Sequence, residues 1–288
     1  MTLVPEKMET ASLGETRDRL LAWFKPFQSV AVAFSGGIDS TLVAKAAHLA
    51  KGDSALAFTA DSPSVPRTEL EEASRLAKLI GIRHEILPTA EFSNPDYLRN
   101  DGSRCFHCKD ELYARIVERT GDLGVEVILS GANRDDAGDY RPGLRAASEH
   151  GVRHPLLELG IGKQEVRELA RHWDLPTWNK PASPCLSSRL APGVAVTPER
   201  TARIEAAERF LRDLPLPDCR VRLHENELAR IEVPLEHLHR LANPSTREDI
   251  ARRFKALGFR FITLDLEGFR SGSMNELIPL ELKSRYQG

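Results

Sequence analysis

No stretch of this 288-residue chain stays apolar for the ~20 residues that a membrane-spanning helix needs, so an integral membrane protein is not expected. Residues 1–19 are charged and carry no apolar h-region, which argues against a signal peptide. A basic excess is missing too. The formal net charge is -2 and no basic stripe is evident, which argues against a nucleic-acid partner. Cysteines are few, four in all. In a chain expected in the cytoplasm they serve as metal ligands or reactive thiols more readily than as disulfides. Neither of two common phosphate-loop signatures occurs: there is no G-x-x-x-x-G-K-[ST] and no G-x-G-x-x-G.

A different phosphate loop is present. Residues 30–34 are apolar, small and β-branched, and read as a buried strand. Ser35-Gly36-Gly37-Ile38-Asp39-Ser40 follows, and then a helical pattern over 41–49. Paired glycines let the backbone turn sharply and bring N–H groups close to an anion. The helix start adds free N–H groups and the positive end of its dipole. Ser35, Ser40 and Thr41 can add hydroxyl donors, and Asp39 can hold Mg²⁺ beside the phosphates. No lysine stands at the helix start. The hexapeptide resembles the SGGxDS signature of the PP-loop ATP pyrophosphatases. The resemblance implies cleavage of ATP between its α- and β-phosphates, adenylation of a substrate and release of pyrophosphate.

Strand patterns at 55–60, 83–87 and 125–129 alternate with helical patterns at 67–80 and 110–120. That alternation predicts an α/β fold with a Rossmann-like parallel sheet covered on both faces. It suits the PP-loop (adenine nucleotide alpha hydrolase-like) type. Residues 89–103 read as loop, with Asn94-Pro95 and Asp101-Gly102 as turn signals. Ligands of such sheets bind beyond the carboxyl ends of the strands. Residues 35–40, 61–64 and 133–136 stand at such ends and can converge on one nucleotide, with Asn133 and Asp136 as candidates beside the loop. After Pro217 the pattern changes. Residues 220–224 and 229–233 alternate charged and apolar side chains, as antiparallel strands with one wet face do. We divide the chain into a PP-loop domain, 1–199, and a smaller α+β domain for substrate binding and oligomerisation, 200–288. The helix expected after Thr197 lies at that boundary.

Cys105 and Cys108 form a C-x-x-C at a helix start, where the dipole is expected to lower their pKa values. A thioredoxin-like pair fits poorly, because the motif does not open a compact redox βαβ unit. A zinc site needs four ligands, and Cys105, Cys108 and Cys185 supply three. An iron–sulfur cluster with one open iron, or plain structural cysteines, remain alternatives. Cys185 lies in a proline-bracketed loop, and the Arg189 guanidinium four residues on favours a thiolate. Cys219 is given no role. Arg220 and Arg222 project from one strand face. With Arg270, in a glycine-rich turn, they suit a phosphate or carboxylate.

Cys105-Phe-His-Cys108, Asn133-Arg-Asp-Asp136, Tyr140-Arg-Pro-Gly143, Pro181-Ala-Ser-Pro-Cys-Leu-Ser-Ser-Arg189, Arg220-Val-Arg222, Ala229-Arg-Ile-Glu-Val233 and Gly268-Phe-Arg-Ser-Gly-Ser-Met-Asn275 together resemble the LarE family. The likeness runs from about residue 15 to 278. It implies an ATP-dependent sulfur transferase of nickel-pincer nucleotide biosynthesis, acting on the carboxylates of a pyridinium dicarboxylate mononucleotide. One branch of that family sacrifices a cysteine matching Cys185. Another holds a [4Fe-4S] cluster on three cysteines, and Cys105, Cys108 and Cys185 resemble that branch. We assign the chemistry to Cys185, Cys105, Cys108 and Asp39, and substrate binding to Arg189, Arg220, Arg222 and Arg270. The resemblance also implies a homo-oligomer, hexameric in pattern. Two other functions stay open: a PP-loop tRNA thiolation enzyme, and a non-catalytic ATP-binding or metal-sensing module.

Overall fold

Short apolar runs form the centre of the molecule. They become β1 (Val30–Ala33), β2 (Ala55–Asp61), β3 (Arg83–Pro88) and β4 (Val127–Leu129). All pair in parallel, in the order β3-β2-β1-β4. The computed structural model describes residues 12–136, 142–181, 183–214, 219–270, 274 and 277. Helices α1 (Leu13–Trp23), α2 (Ile38–Lys51), α3 (Arg67–Ile80), α4 (Pro95–Arg99), α5 (Arg104–Thr120), α6 (Pro142–Glu149), α7 (Pro155–Glu158) and α8 (Lys163–His172) surround the sheet.

Side chains alternate across a strand, and β1 divides accordingly. Val30 and Val32 join Leu20, Leu42, Leu76 and Leu169 from α1, α2, α3 and α8. Ala31 and Ala33 join Leu112, Ile116, Ala146 and Ala147 from α5 and α6. The sheet is thus covered on both faces, which explains strands that read as unbroken apolar runs. Among the described residues no helix is long and apolar enough to cross a membrane.

Two stretches differ from the sequence expectation. Residues 89–103 are not plain loop: a short 3-10 turn, Glu91–Ser93, precedes α4. The Asn94-Pro95 pair read as a turn is a helix start, because the Asn94 side chain accepts the Asp96 N–H and Pro95 takes the first helical position. Helix α5 begins at Arg104 rather than 110, which carries Cys105 and Cys108 into the helix. Tyr140 and Arg141 lie outside the described residues, as do 271–273 and 275.

The second sheet follows α9 (Pro198–Arg212). Strands β5 (Arg220–His224) and β6 (Leu228–Glu232) pair antiparallel, with Arg222 opposite Arg230. The last described strand, β7 (Phe261–Leu264), runs parallel to β6. Helices α10 (Leu238–Ala242) and α11 (Pro244–Ala256) lie between β6 and β7. Thr197 caps α9 by accepting the Arg200 N–H, with Pro198 first in the helix. Ile204, Ala207 and Leu211 of α9 pack with Val221, Leu223 and Ile231 of the sheet. Tyr97, Leu186, Leu190 and Val196 belong to the same cluster, so this second core draws on residues both before and after the 199/200 division.

Candidate active site

Chain order places β2 and β3 on one side of β1 and β4 on the other. Such a sheet has its switch point between β1 and β4, where a crevice opens at the carboxyl ends. The phosphate loop and the 130–136 segment meet there. Gly36 has φ +71°, and a Cβ on it would press on the Ala73 backbone at 3.2 Å. Ser40 stitches the loop: its Oγ accepts the Ser35 N–H at 3.2 Å and donates to the Gly37 carbonyl at 3.1 Å. Gly37 caps α2 without a side-chain bond. The first-turn N–H groups of α2 are thereby left facing the crevice.

Asn133 crosses the crevice, donating from Nδ2 to Asp39 Oδ1 at 2.9 Å. Its own N–H bonds Asp136 Oδ2 at 3.1 Å. Burial holds the Asp39 carboxyl above the usual aspartate range; Asp136 adds to the rise, while Asn133 and Lys163 oppose it. A carboxylate in that condition gains from a cation, and Mg²⁺ bound to nucleotide phosphates needs only one or two carboxylates. Asp39 and Asp136 therefore fit such a site.

Two residues of this crevice escaped the sequence reading. A Cβ on Gly131 would lie 2.6 Å from Ser40 N and 2.8 Å from Asp39 C, so only glycine lets the 130–136 segment reach the loop. Lys180 Nζ stands 2.7 Å from Glu69 Oε2 and 3.4 Å from the Gly36 carbonyl. It precedes the Pro181–Arg189 loop by one residue, and its distance along the chain hid it.

The cysteines gather beside the next strand end. The Leu186 N–H bonds the Ser64 carbonyl beyond β2 at 2.8 Å, which ties the Cys185 loop to the sheet. The same bond fixes the start of the 3-10 turn Leu186–Arg189, so Cys185 is held beside the carboxyl end of β2. Arg104 ties α5 to this loop by donating to the Ser187 carbonyl at 2.7 Å, and it also bonds Asn100 Oδ1. Asn100, at φ +54°, donates in turn to the Ala191 and Val194 carbonyls. Tyr97 is buried, with its hydroxyl 2.7 Å from Ser187 Oγ. Cys105 and Cys108 share the first turns of α5, and the Arg104 bond joins that helix to the loop bearing Cys185.

The expectation of two depressed thiol pKa values fails for Cys108. Burial pushes its thiol up, and Glu91 and Cys185 add to the rise. The reason is position. With α5 starting at Arg104, Cys108 is the fifth helical residue and sits inward, past the reach of the dipole. Cys105 is exposed and Cys185 half-buried. Among the described residues no group of three His, Cys, Asp or Glu side chains could hold a single metal ion. Cys219 is buried in the second core.

The arginines divide into two kinds. Arg189 is 2% exposed and pairs with Glu208 at 3.0 Å. Its Nη1 donates to the Pro184 and Cys185 carbonyls, so this side chain supports the cysteine loop. Arg222 is 6% exposed, pairs with Glu232 at 2.8 Å and reaches the Ser188 carbonyl at 3.3 Å. The sheet face expected to be wet is therefore covered at its centre, where Arg222 and Arg230 share the buried Glu232. Arg220 is half-buried with its guanidinium over the Phe269 ring. Arg270 is more open and pairs with Glu267 at 2.6 Å.

A parallel sheet with a Ser-Gly-Gly-Ile-Asp-Ser loop at its switch point defines an ATP-using enzyme of the PP-loop class. The asparagine synthase family matches residues 25–101. An uncharacterized protein of Synechocystis is 43% identical over 91% of this chain and 97% of its own length. The pyridinium-3,5-bisthiocarboxylic acid mononucleotide synthase of Lactiplantibacillus plantarum is 39% identical, over 93% of this chain and 96% of its own. A solved NMN synthetase from Francisella tularensis aligns with TM-score 0.48 and 17% identity, over 60% of this chain and 76% of its own. The chain belongs to the LarE family.

Proposed function

We propose that this chain adenylates the carboxylates of pyridinium-3,5-biscarboxylic acid mononucleotide with ATP and exchanges oxygen for sulfur, yielding thiocarboxylates. The observation that carries the reading is the bond from Leu186 N–H to the Ser64 carbonyl. It holds the loop bearing Cys185 against the strand ends where the nucleotide site lies.

In this reading Ser35, Gly36, Gly37 and Ser40 cradle the phosphates, while Asp39 and Asp136 hold Mg²⁺ with Asn133 fixing the Asp39 carboxylate. A substrate carboxylate oxygen attacks the α-phosphorus. The bond to the bridging oxygen breaks, and pyrophosphate leaves with the electron pair. The acyl adenylate then carries AMP as a good leaving group, which a sulfur nucleophile displaces. Arg220 and Arg270 bind the phosphate of the mononucleotide, with Arg222 behind them in its pair with Glu232. Arg189 reaches the substrate indirectly, by shaping the cysteine loop.

Cys105 and Cys108 share α5, which Arg104 joins to the Cys185 loop, so these three thiols are the candidates for the cluster that the family resemblance implies. A [4Fe-4S] cluster on them would leave one iron open and supply a replaceable sulfide. The same reading makes the enzyme cytoplasmic and homo-oligomeric, hexameric in the family's pattern.

The direct test supplies ATP, Mg²⁺, a sulfur source and the dicarboxylate mononucleotide. AMP and pyrophosphate should form only when the mononucleotide is present, with sulfur found in the product by mass spectrometry. Asp39→Ala should lose most of this activity and keep its fold. ADP and phosphate as main products would sink the reading. For the cluster, anaerobic reconstitution should give a brown protein with about four irons. Alanine at Cys105, Cys108 or Cys185 should abolish the colour, while Cys219→Ala should keep it. Dehydroalanine at Cys185 after one turnover would instead mark that cysteine as the sulfur donor.

A further inference from the structure

Glu91 is a buried acid that the chemistry above leaves unused. It opens the 3-10 turn after β3 and is 2% exposed. Its Oε1 accepts from two hydroxyls, Ser62 Oγ at 2.5 Å and Ser64 Oγ at 3.2 Å. Its Oε2 is buried and bonds nothing among the described residues. A buried carboxyl normally engages both oxygens, because its desolvation is costly. Glu208 and Glu232 in the same junction do so, each bonding arginines with both oxygens.

Its neighbours fix where it stands. Ser62 and Ser64 lie just beyond β2, and the Ser64 carbonyl accepts the Leu186 N–H, next to Cys185. One residue on, Phe92 packs on Tyr97 with ring centres 5.2 Å apart, and the Tyr97 hydroxyl meets Ser187 Oγ at 2.7 Å. One residue back, the Ala90 N–H bonds Glu111 at 2.9 Å, on the helix of Cys105 and Cys108. Glu91 thus sits where the end of β2, the Cys185 loop and α5 meet. The cations nearby have other partners. Arg67 bonds Asp61 and the Ser62 carbonyl, and Arg104 bonds Asn100 and the Ser187 carbonyl. Lys109 Nζ stands over the Tyr113 ring, 6.0 Å from its centre. Among the described residues, no cation bonds Glu91.

We propose that Glu91 selects the substrate by its ring charge, presenting a fixed carboxylate to the pyridinium nitrogen. The proposal rests on the adenylation reading above. In that reading the reacting carboxylate must reach both ATP at the end of β1 and the sulfur at the Cys185 loop beside β2. The ring that bears it then lies by the end of β2, within the field of Glu91. A ring nitrogen bonded to ribose has no N–H to donate, and no proton whose loss would neutralise it. Opposite charge is therefore what recognises it. Burial strengthens that field, and the two serines hold the carboxylate in place, so no reorganisation is needed when the ring arrives. Glu91 forms no bond in the reaction and acts only on which ring is accepted.

The test uses two mononucleotides that differ in one ring atom: the pyridinium dicarboxylate, and an uncharged analogue with carbon in place of the ring nitrogen. Binding of each to purified wild-type and Glu91→Gln chains is measured by calorimetry. Mg²⁺ is present with an ATP analogue whose α,β-methylene bridge blocks adenylation; AMP formation is followed separately with ATP. Glutamine keeps an oxygen that accepts from Ser62 and Ser64 but carries no charge. Wild type should bind the pyridinium form roughly ten-fold more tightly than the analogue, or better. That is the effect of one unit charge on another about 10 Å away at an effective dielectric of about 20. In Glu91→Gln the preference should shrink to within about two-fold, because both rings then meet a neutral group. A structural role would weaken both nucleotides alike and leave the preference intact, which would overturn the proposal. A wild-type chain that binds the two equally would overturn it as well, whether or not Glu91→Gln folds. Neither nucleotide bound and no AMP formed by wild type would instead overturn the substrate reading, which separates the two failures.

Discussion

The crevice at the ends of β1 and β4 is held by shape, whereas the junction around Cys185 is held by charge. In the crevice, Gly36 and Gly131 let backbones touch, and one neutral donor, Asn133, bridges the two walls. In the junction, Arg189–Glu208 and Arg222–Glu232 lie almost fully buried, and Arg104 crosses from α5 to the cysteine loop. The contrast follows from what each region must do. A phosphate site needs backbone N–H groups unobstructed, so side chains are removed from it. A loop of prolines and small residues cannot fold on its own backbone bonds, so arginine forks satisfy its carbonyls instead.

The largest test of this contrast breaks a charge. Arg189→Ala leaves Glu208 buried with only the Val221 N–H and the more exposed Arg212 as partners. Removing one partner of a buried pair costs about 3–5 kcal/mol. Urea unfolding should show that loss, while ATP affinity of the folded fraction should hardly change. Arg189→Met with Glu208→Leu should recover part of the stability, because an apolar pair replaces two desolvated charges. The cysteine loop should stay inactive in both, since neither variant bonds the Pro184 and Cys185 carbonyls.

The next test breaks shape. Gly131→Ala forces a methyl into the backbone of Ser40 and Asp39. Overpacking of this kind costs about 1–3 kcal/mol. The stability loss should be smaller than for Arg189→Ala, yet ATP affinity should fall much further, because the shifted backbone is the phosphate loop itself. Thermal unfolding and ATP titration on the same two variants should rank them in opposite orders. If both measurements rank them alike, the two regions do not differ as argued.

The same contrast explains what could be read from the sequence. The crevice is written locally: strand, glycine turn and helix are contiguous, and α3 runs over the residues its apolar spacing indicates. The junction is written at long range. Tyr97 meets Ser187, and Arg67 N–H meets Glu205, across stretches that share no pattern. Asn94-Pro95 misled because the same pair serves a turn and a helix start, and only the Asp96 N–H decides between them. The alternation in β5 correctly marked one apolar face, yet it could not show that Glu232 pairs with Arg222 and buries the other. Lys180 was missed for the same reason: its partners, Gly36 and Glu69, lie more than a hundred residues earlier.

The smallest effect comes from an exposed pair beside β4, outside both regions, which separates burial from charge. Glu158 accepts from Arg153 at 2.7 and 2.6 Å, from Trp23 Nε1 at 2.9 Å and from the His154 N–H at 3.1 Å. The Arg153 side chain foremost, against the cost of burial and with the His154 N–H and Trp23 helping, brings its pKa down to about 2. The bonds resemble those of Arg189, but both partners are open to solvent, with Arg153 47% and Glu158 30% exposed. Screening should therefore reduce the contribution to about 0.2–1 kcal/mol. The folded value lies below the unfolded one, about 4.3. The stabilisation is then fully present above that pH and is lost as pH falls towards 2. Glu158→Gln should cost little at pH 7, and the gap to wild type should close between about pH 4 and pH 2. Added salt should shrink the gap at pH 7. A loss near that of Arg189→Ala would show that bidentate geometry, not burial, sets the strength of these pairs, and the distinction between the two regions would then fall.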